Sequence, residues 1–311
     1  MDNVGGVSCH AAAALRCLFS VECVAGALQG TPASEGMPET LARLQRLLEA
    51  HDETGKESSR AGATKEFRRV LRRLSIRGAS DAAALRPLRQ QEDAHETLGT
   101  LLEMSGLEKL FEGSEVSGIR CNACGAARQV PDSFTFLTAV DPGELSGDVC
   151  SGLSEAFREE TVEGYDCGRC GAARGSCSVT RSIRDLPKAL VVRCIWPGEP
   201  ASTGAPMSMD ISACCQPARR GWGIVGGRFR GPRAVRYLLR SALMHVGTAS
   251  SGHYTALTLW RRGKLRPVLH DDGESREAPD GTVISDEAGR PERIAVPGCR
   301  LHTALYESVQ F

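Results

Sequence analysis

The segment GVSCHAAAALRCL, residues 6–18, joins a glycine-bearing loop to an apolar run. Alanine and leucine dominate residues 11–18 without any glycine or proline, so the run predicts a helix that begins at Cys9. A helix N-terminus stabilises a thiolate, which is the nucleophilic form of cysteine, and the preceding loop can bring backbone N–H groups to an oxyanion. Cys9 is therefore a candidate nucleophile. The competing interpretation is a buried packing cysteine.

A candidate base stands in the second half of the chain, in the segment SGHY at residues 251–254. His253 follows a glycine at the expected start of a strand, where an imidazole can reach across a cleft. Asp271 and Asp272 follow the next β-like run, and either carboxylate could orient the imidazole. His245 is a second candidate base, but it lies inside a predicted strand. A Cys-His-Asp arrangement of this kind catalyses acyl transfer.

Two segments with the sequence C-x-x-C-G-A-A-R predict a metal site. Two residues between thiolates allow one tight turn to present both sulfurs to one ion, and two such turns complete a tetrahedral set. Four protein ligands leave no open position, so we expect a structural Zn²⁺ rather than a catalytic one. We expect the long stretch between the two pairs to contain an inserted hairpin or a helix at residues 153–157. The four ligands are Cys121, Cys124, Cys167 and Cys170.

The charge balance and the cysteine content limit the classes of partner and the cellular compartment that we expect. The 38 basic and 38 acidic residues cancel across 311 residues, so the overall field favours no nucleic-acid partner. The thirteen cysteines are an odd number in a chain long enough to fold without disulfides, which predicts free thiols and a reducing compartment, the cytoplasm or the nucleus.

The N-terminal apolar segment, residues 11–28, has the hydropathy of a signal peptide. Arg16 and Glu22 interrupt it and no cationic region precedes it, so we interpret it as one buried helix. The chain has no uninterrupted apolar stretch of about eighteen residues, so we expect no membrane partner.

The two halves of the chain differ in their periodicity. Leucines recur at helical spacing within residues 41–48, an Arg-rich amphipathic stretch covers residues 67–74, and a third helix should end near Gly106. Residues 52–63 are polar and predict a loop. Later β-rich runs predict strands, so the expected fold class is α+β with the site between the two parts. These runs are residues 134–140, 189–195, 236–245, 254–260 and 300–306.

Several segments, in this order, resemble the ubiquitin-specific protease family, the papain-like cysteine deubiquitinases. The match runs from Gly6 to Tyr306, and besides the segments above it includes QEDAHE at residues 91–96, FEG at 111–113, LPKAL at 186–190 and ALYE at 304–307. The resemblance implies a single catalytic domain over residues 1–311. Its parts would be a helical thumb at 1–110, zinc-bearing fingers at 111–185 and a β-rich palm at 186–311.

The resemblance also implies an activity, the thiol-dependent hydrolysis of isopeptide or peptide bonds at the C-terminal glycine of ubiquitin. Ubiquitin and ubiquitinated proteins would be the partners, Cys9 the nucleophile and His253 the base. Asp271 would be the orienting acid, with Asp272 a possible second acid. Substrate contacts would come from Asp93, Glu96, Gly252 and Tyr254, the two acids facing the arginines of the ubiquitin tail.

One departure from the family pattern concerns the oxyanion. The family usually carries an asparagine five residues before the nucleophile; here Val4 occupies that position and Asn3 stands one place away, as a possible oxyanion donor. Loss of one such donor costs on the order of a hundredfold in rate. A catalytically weakened ubiquitin-binding protein of the same fold is therefore the main alternative. A zinc-ribbon nucleic-acid protein and a lysosomal papain-like protease fit less well, given the balanced charge and the expected lack of disulfides.

Overall fold

The computed structural model describes residues 1, 8–30, 36–77, 92–140, 149–171, 174–196, 203–215, 236–248, 251–261 and 263–309, and every structural statement refers to these residues. Six α-helices lie in this part of the chain: α1 Cys9–Phe19, α2 Glu22–Gln29, α3 Met37–Thr54, α4 Glu57–Arg77, α5 Ala94–Ser105 and α6 Val149–Ala156. Two short 3-10 helices cover Glu108–Leu110 and Ser212–Cys214.

The N-terminal apolar segment forms two helices, so the prediction of one buried helix over residues 11–28 is wrong. α1 ends where Ser20 turns back: its backbone N–H and its hydroxyl both donate to the carbonyl of Cys17. Such local bonds compete with helix continuation. No single described helix has the length and hydropathy of a membrane span; α1 and α2 reach that threshold only as a pair, and they are bent by 88° at their junction.

The prediction of a loop at residues 52–63 is also wrong. α3 continues to Thr54, and Gly55, with a φ of 65°, ends it by donating its N–H to the carbonyl of His51 at 2.8 Å. α4 begins two residues later. Its first turns pack on α3, and a Cβ at Gly62 would lie only 3.1 Å from the Leu47 side chain. Tertiary packing therefore makes a polar, glycine-bearing stretch helical.

Fifteen β-strands follow in chain order, and most of them lie in the second half of the chain. They are β1 Gly113–Cys121, β2 Ala127–Phe134, β3 Phe136–Val140, β4 Glu160–Tyr165, β5 Gly175–Asp185, β6 Ala189–Ile195, β7 Ala205–Pro206, β8 Ser208–Asp210, β9 Arg236–Thr248, β10 Ser251–Arg261, β11 Lys264–Asp271, β12 Glu274–Glu277, β13 Val283–Ser285, β14 Pro291–Ile294 and β15 Arg300–Val309. Four of the five predicted strands fall within these elements, whereas the run at 134–140 covers the end of β2, a bend at Thr135 and β3. The α+β prediction is confirmed.

The largest sheet organises the molecule. Its strand order is β12-β11-β10-β9-β15-β6-β3, with β8 also paired to β9. Neighbouring strands are antiparallel except for the parallel pair of β3 and β6. Because side chains alternate along a strand, Leu243 faces the helices while Met244 faces the opposite side, and each face has its own buried cluster. Helix α1 lies on the first face, where it packs on β10.

A separate four-stranded sheet carries the cysteine pairs, in the order β2-β1-β5-β4. The chain between the two pairs forms β2, then crosses to the large sheet as β3, runs through α6 and returns as β4. The helix predicted at residues 153–157 is α6, which begins earlier and packs on β3. The insertion therefore joins the small sheet to the large one.

Candidate active site

Cys9 is the first residue of α1 and is only 3% exposed. Burial raises the pKa of its thiol above the ordinary value, and the charge of Asp272 raises it further, while the backbone N–H groups of Tyr254 and His10 act in the opposite direction. The raised pKa means that the thiol is protonated at neutral pH. A neighbouring base must therefore remove its proton before attack.

The candidate base and acid come from two adjacent strands. His253 is near the start of β10, and Asp271 ends β11. The His253 Nε2–H donates to Oδ1 of Asp271 at 2.6 Å. With Nε2 held in this way, Nδ1 is the ring nitrogen left for proton transfer, and the carboxylate stabilises the imidazolium that results.

Asp272 occupies a different place from Asp271. It follows β11 at the tight turn to β12, with a left-handed φ of 50°, and Met1 donates its amino group to the Asp272 carbonyl at 3.4 Å. Its carboxylate lies within 4.8 Å of the polar atoms of His253 and Asp271. Its charge also acts on the Cys9 thiol, so Asp272 lies near the nucleophile as well as near the imidazole.

Gly252 allows β9 and β10 to approach closely beside the base. A Cβ at this position would lie 2.2 Å from Nε2 of His245 and 2.5 Å from the carbonyl of Val246. The His245 ring also contacts the Tyr254 ring in a tilted arrangement, with 4.7 Å between the ring centroids. His245, the alternative base, thus packs against the strand that carries His253, and burial lowers its pKa.

Asp93 caps the N-terminus of α5, where it accepts the backbone N–H of His95 at 2.7 Å. Its other contacts are with Arg193 Nη2 at 3.1 Å and His302 Nε2 at 3.4 Å. Burial opposes its ionisation, but His302, the His95 N–H and Arg193 outweigh that effect and hold the pKa of Asp93 well below its ordinary value. Asp93 is thus bonded within the chain, whereas Glu96, one turn along, is exposed.

Two of the predicted positions cannot be placed. Asn3, the possible oxyanion donor, and Val4 lie outside the described residues. Among the described residues, the backbone N–H groups of Tyr254, His10 and Cys9 itself act on the Cys9 sulfur and are donors near the reacting atom.

The four predicted metal ligands converge at the end of the small sheet. Cys121 Sγ lies 3.9 Å from Cys170 Sγ, and Cys124 Sγ lies 3.8 Å from Cys167 Sγ. All four sulfurs are within 4.8 Å of one another. Zn–S bonds of about 2.3 Å in a tetrahedron place sulfurs about 3.8 Å apart, so the donor set and its spacing fit zinc.

Each cysteine pair is shaped by the glycine that follows it. Gly125 and Gly171 have φ values of 70° and 68°, and each donates its N–H to the carbonyl of the first cysteine of its pair, at 2.9 and 3.0 Å. Only glycine adopts this conformation without strain. The matching turns explain why the C-x-x-C-G pattern occurs twice.

A family model described as ubiquitin carboxyl-terminal hydrolase matches residues 2–288. The chain belongs to this family. It is a cysteine-type ubiquitin hydrolase with an α+β fold.

Solved structures agree at the level of the fold. One is the SAGA DUB module of Ubp8, Sgf11, Sus1 and Sgf73 bound to monoubiquitin, with a TM-score of 0.66 and 15% identity, covering 100% of this chain and 71% of that chain. Another is the same module bound to ubiquitin aldehyde, with a TM-score of 0.65, 16% identity and the same two coverages. No curated protein sequence matches the chain.

The hydrolase also contains site residues that the sequence reasoning missed. Arg193 and His302 hold Asp93 from strands β6 and β15. His302 also forms an edge contact with Tyr254, with 5.2 Å between the ring centroids. Both residues lie in predicted strands, and no local motif distinguishes them; only their contacts across the sheet do so.

Proposed function

We propose that this hydrolase cuts the bond after the C-terminal glycine of ubiquitin with Cys9 as nucleophile, His253 as base and Asp271 as orienting acid. The observation that supports this assignment best is the 2.6 Å bond between His253 and Asp271 on strands that flank the N-terminus of the Cys9 helix. The contact of the Cys9 sulfur with the backbone N–H of Tyr254, the neighbour of His253 in the chain, also supports it. The ubiquitin-bound state of the similar structures supports ubiquitin as the substrate.

The proposed reaction begins with proton transfer from the Cys9 thiol to Nδ1 of His253. The sulfur then attacks the glycine carbonyl carbon, and the carbonyl oxygen becomes an oxyanion that backbone N–H groups stabilise. His253 returns the proton to the leaving amine, and a thioester between Cys9 and ubiquitin remains. Water, deprotonated by the same imidazole, hydrolyses the thioester and regenerates the thiol, while Asp271 keeps the imidazole oriented.

We further propose that Cys121, Cys124, Cys167 and Cys170 hold one structural Zn²⁺. The spacing of the sulfurs and the matching glycine turns support this role. With four thiolate ligands the ion would contribute folding energy and no catalytic chemistry, because it has no open position. It would join the end of β1 to the loop after β4.

For the ubiquitin tail we propose that Glu96 supplies an accessible carboxylate and that Asp93 acts mainly through the position of α5. The exposure of Glu96 and the internal contacts of Asp93 support this division. An exposed carboxylate can pair with one of the tail arginines.

We also propose that the protein lies in the cytoplasm or the nucleus. A reduced nucleophile and a zinc–thiolate cluster are both compatible with these reducing compartments.

The test is hydrolysis of a fluorogenic ubiquitin C-terminal amide by the parent and by Cys9→Ala, His253→Ala and Asp271→Asn. We expect the first two to lose activity by a factor on the order of 10³ or more, and Asp271→Asn to retain more than either. His51→Ala, which removes a histidine at the end of α3, is the matched control and should keep parental activity. An active Cys9→Ala variant would reject the assignment, and ubiquitin binding without turnover by the parent would favour the weakened binder.

A further inference from the structure

Helix α4 carries an unusual charge distribution for a chain of zero net charge. Between Glu57 and Arg77 it has seven basic residues and two acidic ones. Its apolar face is buried against the other helices, with Phe67, Val70 and Leu71 fully covered. Lys65, Arg68 and Arg72 are exposed. These three residues define what we call the basic face of α4.

The basic face borders a groove of about 580 Å³ that runs along the helix. Ala61 and Thr64 also line it, and their small side chains leave space between the long cationic ones; Glu57 is its acidic lining residue. Arg69 also lines the groove, but it pairs with Glu66 at 2.5 Å. Within the described part of the chain, no ion pair engages Lys65, Arg68 or Arg72.

Among the described residues, no acid of the neighbouring helix α3 forms an ion pair with the three cations of this face. Three of its four acids have partners other than these cations: Asp52 pairs with Arg16 at 2.7 Å, Glu39 with Arg43 at 3.3 Å, and Glu49 accepts a hydrogen bond from Gln45. Like charges at helical spacing destabilise a helix by a few tenths of a kcal/mol per pair. The protein tolerates this repulsion, which an anionic ligand would relieve.

The chemistry of the groove favours phosphate over the other anionic partners. Two of its three unpaired cations are arginines, whose planar guanidinium groups bind phosphate in a bidentate manner. The groove is lined by charged and small side chains and by no large apolar one, so it offers no anchor for an amphipathic acidic peptide and nothing to insert into a membrane. Lys65 to Arg72 span about 10 Å of helix axis, over which one DNA strand presents about three phosphates.

We propose that the basic face of α4 binds the phosphate backbone of nucleic acid without reading its sequence. The zero net charge of the chain predicted no such partner. However, the excess of basic residues on α4 creates a local positive field that the net charge of the whole chain does not reveal. α4 packs mainly on α3, whereas the Cys9 helix packs on β10 and α5. Binding at α4 therefore leaves the hydrolytic site free, and the surface would concentrate the enzyme near ubiquitinated proteins that are themselves bound to nucleic acid.

The experiment measures the affinity of the full chain for a labelled duplex and a labelled single strand of about 30 nucleotides by fluorescence anisotropy, from about 50 to about 200 mM salt. Three phosphate contacts predict a slope of log K against log salt of about −2.7 for the duplex and about −2.1 for the single strand. In Arg68→Gln/Arg72→Gln one contact remains, so the duplex slope should fall to about −0.9 and affinity at low salt by about tenfold or more. Glutamine keeps the helix propensity of arginine, so α4 should stay folded.

Arg276→Gln/Arg293→Gln is the matched control, because it removes two exposed arginines from the strands of the other half of the chain. It should leave the slope unchanged, and both double variants should hydrolyse the fluorogenic ubiquitin amide at the parental rate. The proposal is overturned if the parent binds neither oligonucleotide, or if the two double variants weaken binding equally. Tighter binding of polyglutamate than of either oligonucleotide would also overturn it, in favour of an acidic protein partner.

Discussion

Replacing His95 should make the stability of the protein less sensitive to acid. His95 lies in the first turn of α5, 8% exposed, with its ring 4.3 Å from that of Phe136 and its Nδ1 buried without a hydrogen-bond partner. Burial, with a further contribution from the charge of Arg193, lowers its pKa from 6.5 to about 4. The unfolded chain therefore binds a proton at this residue at a pH where the folded chain does not, so protonation favours unfolding as the pH falls below 6.5.

The size of the effect follows from these two pKa values. A pKa difference of about 2.5 corresponds to a total change of about 3.4 kcal/mol in the free energy of unfolding. Roughly 2.5 kcal/mol of this free energy is lost between pH 7.5 and pH 4.5. Urea unfolding at both pH values gives the loss for the parent and for His95→Gln, in which the titrating group is absent. We expect the loss to be smaller in His95→Gln by roughly 2 kcal/mol.

Comparison of the two proteins cancels groups that titrate in both, including any metal ligands. His51→Gln is the matched control, the same replacement at the end of α3, and it shows whether the loss of any histidine has this effect. Equal acid sensitivity in the parent and in His95→Gln would refute the reasoning, because it would mean that His95 is protonated in the folded state.

Three further predictions concern the site and the metal cluster. Gly252→Ala places a methyl group against His245, so it should destabilise the fold by about 1–3 kcal/mol in urea unfolding and reduce kcat for hydrolysis. A variant with parental stability and rate would contradict the close approach of β9 and β10 at this position. Asp272→Asn removes a charge that raises the pKa of Cys9, so the pH midpoint of Cys9 alkylation, expected above that of an ordinary thiol in the parent, should move down; an unchanged or higher midpoint would contradict that placement. A chelator should lower the melting temperature of the parent but not that of Cys124→Ser, and an equal response of both proteins would argue against a zinc cluster.

Much of the fold could be predicted from local patterns. The run of β-branched and apolar residues at 189–195 coincides with β6, and the C-x-x-C-G pairs form the expected turns. The helix that begins at Cys9 was also predictable, since nothing in its sequence opposes helix formation. These features depend on residues close together in the chain, which is where sequence patterns carry the most information.

The wrong loop prediction and the missed contacts of Asp93 share a physical origin in long-range packing. Residues 57–63 read as a loop, yet α3 provides a surface on which they become helical. The contacts of Asp93 with His302 and Arg193 join residues more than ninety positions apart, and no periodicity reveals them. The sequence motif could suggest a role for Asp93 at the site, but only the folded sheet shows that Arg193 and His302 contact its carboxylate.

The division of the chain into parts at residues 1–110, 111–185 and 186–311 stays a prediction. So do the individual roles assigned to the site residues, since family membership establishes the reaction class and leaves the roles to experiment. Their geometry supports each role in a different way: Cys9 through its place at a helix start, His253 and Asp271 through their mutual bond.

The central claim is tested most directly by incubating the protein with a ubiquitin that carries a thiol-reactive electrophile at its C-terminus and mapping the adduct by mass spectrometry. We expect one covalent ubiquitin per chain, attached at Cys9, lost in Cys9→Ala and slowed in His253→Ala. An adduct at another of the cysteines, or ubiquitin binding without an adduct, would contradict the account.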